Sequence, residues 1–376
     1  MRLAVVCADL LGDMPSAASW AARHLIPVWA DTQDVVALCA PGSGPIPKGC
    51  GAEILPLRPP IPSLDPSGLP CPPLPVLASP RTATSDEAEA ALEILGGPVL
   101  HGMEEALQDA RPDAVVLFGG DRWTTVAGAR AASGKAILCP FARYSPLLEL
   151  PAFIAVYASA REVIFGSVAE RNLVHDLLGN TLVPYEIIPP GVEVPSASAS
   201  GLVDLGRPYL AAVPGLGEEQ LGPELCARFL SYAGRTGSAL RLVLSGATRF
   251  EFPSDPRVVH LGPLDPDART ALYREALAVV DPAPFRSSPL ALYRALACRT
   301  PVLVDARCDV GVGVCRDTQG GLWCATRDDF EEALSWLEVD ATRARALGAR
   351  GAEAVAEHHS WSAVARQYLA FFARVL

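Results

Sequence analysis

Residues 1–39, MRLAVVCADLLGDMPSAASWAARHLIPVWADTQDVVALC, decide the fold. The opening apolar run through Cys7 is short and β-branched, and reads as a buried strand. SAASWAARHLIPVWA reads as a helix beginning near Ser16, a residue type suited to a helix N-cap. DVVALCAPG then reads as a second strand that ends in a turn. Strand, helix and strand in that order begin an open parallel sheet, because parallel neighbours need a crossover between them.

The alternation continues down the chain. AEILPL, DAVVLFGG, KAILCPF, EVIFGS and YEIIPPGVEVP read as strands. Ser85–Ala110, Thr124–Ala132 and VAERNLVHDLLG, closed by Gly179, read as helices, and FIAVYASA fits a helix or a strand lead-in. Pro41–Pro80 holds 13 prolines. Each fixes φ and removes a donor, so this stretch reads as a long surface excursion. The small-residue run Ser196–Gly201 reads as a linker.

Beyond it RPYLAAVPGLG, LRLVLSG, RVVHLGPL, AVVDPAP, TPVLVD and GGLWCA read as strands. Helices are expected at Glu224–Tyr232, Pro266–Ala278, Pro289–Cys298, Asp328–Trp336, Ala341–Glu357 and Ser362–Val375. The expectation is an α/β protein of two Rossmann-like lobes, residues 1–195 and 202–358, followed by a terminal helix in 359–376. Ligands of such sheets bind beyond the carboxyl ends of the strands, which makes an inter-lobe cleft the expected site.

Composition narrows the function classes. The chain has 376 residues, 50% hydrophobic and 19% charged, enough for two cores. Its 42 acids against 31 bases give a formal charge of −11. That balance excludes a broad nucleic-acid surface but leaves room for a local anion site. Only Lys48 and Lys135 are lysines, so the arginine excess reads first as a bias of the whole gene. Ten cysteines stand without a C-x-x-C pair, which removes support for a metal site and reads as small core residues in a reducing cytoplasm. The N-terminal apolar run soon meets Asp9 and Asp13, unlike a signal peptide. No stretch approaches the ~20 apolar residues of a membrane-spanning helix. A cytoplasmic protein with no transmembrane segment and no basic membrane-surface helix is expected.

Five segments in order resemble the retaining family 4 glycosyltransferases of the two-lobed GT-B fold. EVIFGSVAERNLVHDLLG resembles that family's strand, serine and helix before the lobe junction. YEIIPPGVEV resembles its I-P-x-G-V-[DE] junction, with Pro189, Gly191, Val192 and Glu193 matching. RVVHLGPLDPDARTALYREALAVVDPAPF, ALACRTPVLVD and HHSWSAVARQYLAFF resemble three further segments, the last of which usually crosses back to the first lobe. The resemblance implies a nucleotide-sugar donor and no metal or other cofactor. It further implies a Glu-x7-Glu pair that holds the ribose and the donor sugar, and an Arg and a Lys that hold the diphosphate. Fixed cations suit a leaving diphosphate, which gains negative charge, and carboxylates accept from sugar hydroxyls.

At those positions this chain differs. The carboxylates fall at Arg286 and Arg294, the cations near Leu216 and Leu221, and a family glycine at Arg299. The glycine pair after the first strand is replaced around Asp13, Met14 and Pro15. Phe118 and Phe141 stand where a first-lobe histidine is expected. Arg286, Arg294 and Arg299 are therefore candidates for a rebuilt anion site, since guanidinium forks suit phosphate and carboxylate. A solvated or ion-paired helix residue is the plainer reading of Arg294.

The remaining motifs are weaker. Gly215 and Gly217 lie in a turn between strand and helix where backbone N–H groups can meet phosphate. Gly119, Gly120 and Asp121 end a first-lobe strand and are the candidates for acceptor contact. Asp265-Pro-Asp267 matches a metal-binding D-x-D in text, but Asp265 reads as a helix cap. His358 and His359 read as an end-of-helix pair. No catalytic residue is assignable. Three functions remain: a glycosyltransferase with a rebuilt donor site, a pseudo-glycosyltransferase that partners a homologous active subunit, and a non-catalytic binder of an anionic sugar or nucleotide.

Overall fold

The computed structural model describes residues 1–12, 16–42, 50–57, 75–179, 183–195, 205, 208–213, 221–246, 250–286 and 288–376. The Ser196–Gly201 linker and most of the proline-rich excursion lie outside these residues. The chain divides into two compact units, Met1–Pro189 with Val364–Leu376, and Pro190–Ala363.

The first unit runs β1 Arg2–Cys7, α1 Ala17–Ala30, β2 Asp34–Cys39, β3 Glu53–Pro56, α2 Ser85–Leu95, α3 Met103–Ala110, β4 Ala114–Phe118, α4 Trp123–Ala131, β5 Ala136–Cys139, α5 Pro151–Ser159, β6 Glu162–Phe165, α6 Val168–Leu178 and β7 Tyr185–Ile187. Its seven strands form a parallel sheet in the order β3-β2-β1-β4-β5-β6-β7. Leu3–Cys7 and Ala114–Phe118 are buried along their whole length, as expected of strands covered on both faces. Ser16 caps α1 by accepting the Ser19 N–H, and Thr84 and Glu87 form a reciprocal capping box on α2. The helix expected over Ser85–Ala110 is two helices. Gly97 at φ +88° and Gly102 at φ +77° break it, a conformation open to residues without a Cβ.

The second unit runs β8 Tyr209–Ala212, α7 Leu221–Thr236, β9 Arg241–Leu244, β10 Val258–His260, α8 Pro266–Glu275, β11 Ala278–Asp281, α9 Leu290–Ala297, β12 Val302–Asp305, α10 Asp309–Thr318, β13 Gly321–Cys324, α11 Arg327–Val339 and α12 Ala341–His358. Its sheet is parallel, in the order β10-β9-β8-β11-β12-β13. In both sheets the order of strand addition reverses beside the first strand, at β1/β4 and at β8/β11. Such switch points leave a crevice at the carboxyl ends of the strands. Helix α10 is not evident in the sequence, because the valines and glycines of DVGVGVCRDT are poor helix formers. Packing overrides propensity here: a Cβ on Gly311 would stand 3.1 Å from Val304 Cβ, so the glycine lets the helix lie against β12.

The last helix, α13 Trp361–Val375, belongs to the first unit from Val364 onward. Tyr368 and Phe372 pack their rings on Trp29 of α1, with centroids 5.4 and 5.1 Å away. All three side chains are buried. Aromatic burial of this kind dominates core energetics.

Candidate functional site

In the second unit two neighbouring strands, β11 and β12, end on carboxylates. Asp281 closes β11 and Asp305 closes β12. Asp281 accepts from Arg286 Nε at 2.9 Å and Nη2 at 2.8 Å, and from the Ala283 N–H at 3.1 Å. Asp305 accepts from Arg307 Nε at 2.9 Å, Nη2 at 2.7 Å and the Arg307 N–H at 2.8 Å. Burial alone would raise the Asp305 carboxyl, but the Arg307 hydrogen bonds outweigh it and hold the group below its ordinary value. Each arginine thus forks onto the strand-terminal acid a few residues before it. Between the strand ends and α7 lies a cavity of about 30 Å³ lined by Leu221, Leu225, Asp281, Asp305 and Phe330.

The three candidate arginines are not brought together. Arg286 stands at the carboxyl end of β11, fixed by Asp281. Arg299 lies in the turn into the amino end of β12, exposed and at φ +64°. The strands are parallel, so these two arginines occupy opposite ends of the sheet. Arg299 makes a tight turn there: a Cβ on Gly348 of α12 would stand 2.1 Å from its carbonyl oxygen. Arg294 is half-buried on α9. Burial, then the like charge of Arg269, push its guanidinium below the ordinary value, while Tyr273 and Glu193 oppose them. Gly215 and Gly217 lie outside the described residues.

In the first unit Gly119, Gly120 and Asp121 follow the carboxyl end of β4. Gly119 has φ +110° and donates its N–H to the Cys139 carbonyl at 3.1 Å. A Cβ on Gly120 would stand 3.1 Å from Pro140 Cβ and 3.3 Å from Ala142 Cβ, so this glycine admits the loop after β5. Asp121 is half-buried, with a carboxylate oxygen 3.9 Å from Arg122 Nε. Phe118 and Phe141, at the expected histidine positions, stack on each other at 6.1 Å. Phe141 sits at φ +50°, uncommon for a bulky residue.

One residue here escapes the sequence reading. Glu170, on the first turn of α6, is 2% exposed and accepts the N–H groups of Ala142 at 2.5 Å and Gly166 at 2.6 Å. Burial pushes its carboxyl up to about 7, against the lowering effect of those two donors. The spacing Ser167-x-x-Glu170 is a helix-start signature, and Ser167 does accept the Glu170 N–H at 3.0 Å. What the spacing does not reveal is the bond to Ala142, 28 residues back in the chain.

Comparison with known proteins bears on both units. Residues 224–370 match a family model described as glycosyl transferase-like. Sucrose-phosphate synthase from Thermosynechococcus elongatus is 14% identical with a TM-score of 0.69, over 100% of this chain and 98% of that one. Anabaena HepE in complex with UDP and glucose is 12% identical with a TM-score of 0.63, over 99% of each chain. WaaG, a glycosyltransferase involved in lipopolysaccharide biosynthesis, is 13% identical with a TM-score of 0.59, over 97% of this chain and 98% of that one. No curated protein matches the sequence. The chain has the GT-B fold.

Leu221, where the resemblance led to the expectation of a cation, packs half-buried against the core of Leu225, Phe229 and Phe330. Gly191 and Trp361, from two of the resembling segments, touch each other: a Cβ on Gly191 would stand 2.5 Å from the indole. The neighbouring Val192 N–H donates to the His359 carbonyl at 2.8 Å. His359 stacks on Tyr293 at 4.0 Å, and burial lowers its imidazole to about 4. Asp265 caps α8 by accepting the Ala268 N–H at 2.9 Å. Among the described residues no group of His, Cys, Asp and Glu is placed to hold a metal ion. Nor is any described helix long and apolar enough to cross a membrane.

Proposed function

We propose that this glycosyltransferase-like protein binds a nucleoside diphosphate sugar and transfers the sugar to an acceptor, using a donor site rebuilt around Arg286. The observation that carries the reading is the place of Arg286, a half-buried guanidinium held at the carboxyl end of β11, close in sequence to the start of α9. At the start of helix α9 the N-cap residue, Pro289, makes no side-chain bond, and Ser288 Oγ accepts only a long bond of 3.4 Å from the Leu290 N–H. A cation and a helix N-terminus both favour a diphosphate that gains charge as it leaves. Gly215 and Gly217, which lie outside the described residues, are assigned to the same donor side. Gly119, Gly120 and Asp121 are assigned to the acceptor side. Support also comes from HepE, described in complexes with UDP and with UDP-glucose.

A second reading has its own observation. Leu221 has joined the core, and Asp281 already occupies two nitrogens of Arg286. A retired donor site that leaves a partner of an active homologous subunit fits those facts. A thermal-shift panel of nucleoside diphosphates and nucleotide sugars separates the two. Ligand at a hundredfold excess over Kd stabilises the native state by about 2.7 kcal/mol, a shift of several degrees. The transfer reading expects such a shift, reduced in Arg286→Ala. If no nucleotide shifts the melting temperature at millimolar concentration, and a catalytic homologue co-purifies, the partner reading holds instead.

A further inference from the structure

Glu170 is a buried carboxyl group that neither the donor nor the acceptor assignment uses. Its bonds to the Ala142 and Gly166 N–H groups tie the loop after β5 to the end of β6. Ala142 directly follows Phe141, whose φ of +50° persists in a bulky residue only where the surroundings impose it. The same loop lies against Gly120, which has no room for a Cβ without crowding Pro140 and Ala142. Among the described residues, the titratable groups within electrostatic reach of Glu170 on neighbouring elements are Cys139 of β5, Tyr157 of α5 and Tyr368 of α13; the Glu170 charge helps to raise all three, and none of them is cationic.

We propose that Glu170 is the positioning residue of the acceptor-side loop Pro140–Tyr144, and that opening of this loop is linked to ionisation of this one carboxyl group. The proposal rests on the reading of Gly119–Asp121 as the acceptor side. Burial opposes the charge, and in the closed loop it outweighs the two N–H donors, which is why the carboxyl is pushed up to about 7. Opening hydrates the group and returns it toward its ordinary value of 4.5. The closed loop therefore holds the proton more tightly than the open one. Opening is least in acid, grows by up to about tenfold per pH unit between the ordinary value and the raised one, and levels off above.

Hydrogen–deuterium exchange of the full chain tests this, read in peptides spanning 139–145 and 165–168 from pH 5 to 8.5 and corrected for intrinsic exchange. Wild type is expected to show an opening constant that rises at least tenfold between pH 5 and 7. Glu170→Gln keeps the shape but does not ionise, and its profile is expected to be flat. Equal slopes in the two proteins, or a flat wild-type profile, overturn the proposal. The wild-type profile alone decides if the variant does not fold. Nucleotide binding is read separately by thermal shift, so failure of the transferase reading appears there and not in the exchange profile.

Discussion

Asp281 and Arg286 form a two-nitrogen fork at the carboxyl end of β11, with Nε at 2.9 Å and Nη2 at 2.8 Å from the carboxylate. The Asp281 side chain is 3% exposed and that of Arg286 25%. Removing one partner of a buried pair costs about 3–5 kcal/mol, because it strands the other charge. With Arg286 partly exposed, Arg286→Ala is expected to cost about 2–3 kcal/mol. The double variant with Asp281→Asn should recover part of that loss. Urea unfolding of the four proteins of this cycle measures the coupling; strictly additive losses would show that the fork contributes nothing.

Gly191→Ala is expected to destabilise the second unit by about 1–3 kcal/mol, since its Cβ would meet the Trp361 indole at 2.5 Å. Trp361→Leu, which shrinks the obstacle, should reduce the cost of the alanine. Thermal unfolding of the single and double variants reads this. An alanine as costly with leucine as with tryptophan would mean that the ring is not the obstacle.

This contact shows how far the sequence was legible. The resembling segments around Gly191 and Trp361 pointed to the fold before their contact was known. The apolar runs of the strands, the caps Ser16 and Asp265, and the stop at Gly179 were all readable, because each signal is local. Helix α10 was not, because Gly311 serves a neighbour, Val304, rather than its own helix. The arginines mark the limit in the site. Sequence order placed Arg286, Arg294 and Arg299 within one segment, but strand direction puts the first and last at opposite ends of a sheet. Glu170 stayed hidden for a related reason, since its partner Ala142 lies on another element.

His359 gives the acid side of the stability profile a definite sign. Burial lowers its imidazole to about 4, from an ordinary value of 6.5. Between those values the unfolded chain takes up a proton that the folded chain refuses, so this residue's contribution falls as pH drops from 6.5 toward 4. Glu170, raised rather than lowered, acts in the opposite direction over nearly the same range: its contribution is lost as pH rises from 4.5 to about 7. Between pH 4.5 and 6.5 His359→Gln is expected to remove the gain of stability with rising pH that the imidazole contributes, and Glu170→Gln to remove the opposing loss. Urea midpoints measured from pH 4 to 8 check both, and an acid limb of equal slope in wild type and His359→Gln would contradict the assignment.

The measurement closest to the proposed function is calorimetric titration of uridine diphosphate into wild type and Arg286→Ala, each first shown to be folded. The expected result is saturable one-site binding by wild type, weakened at least tenfold in the variant. No binding by wild type at millimolar ligand, or equal affinity in the two proteins, would contradict a donor site rebuilt around Arg286.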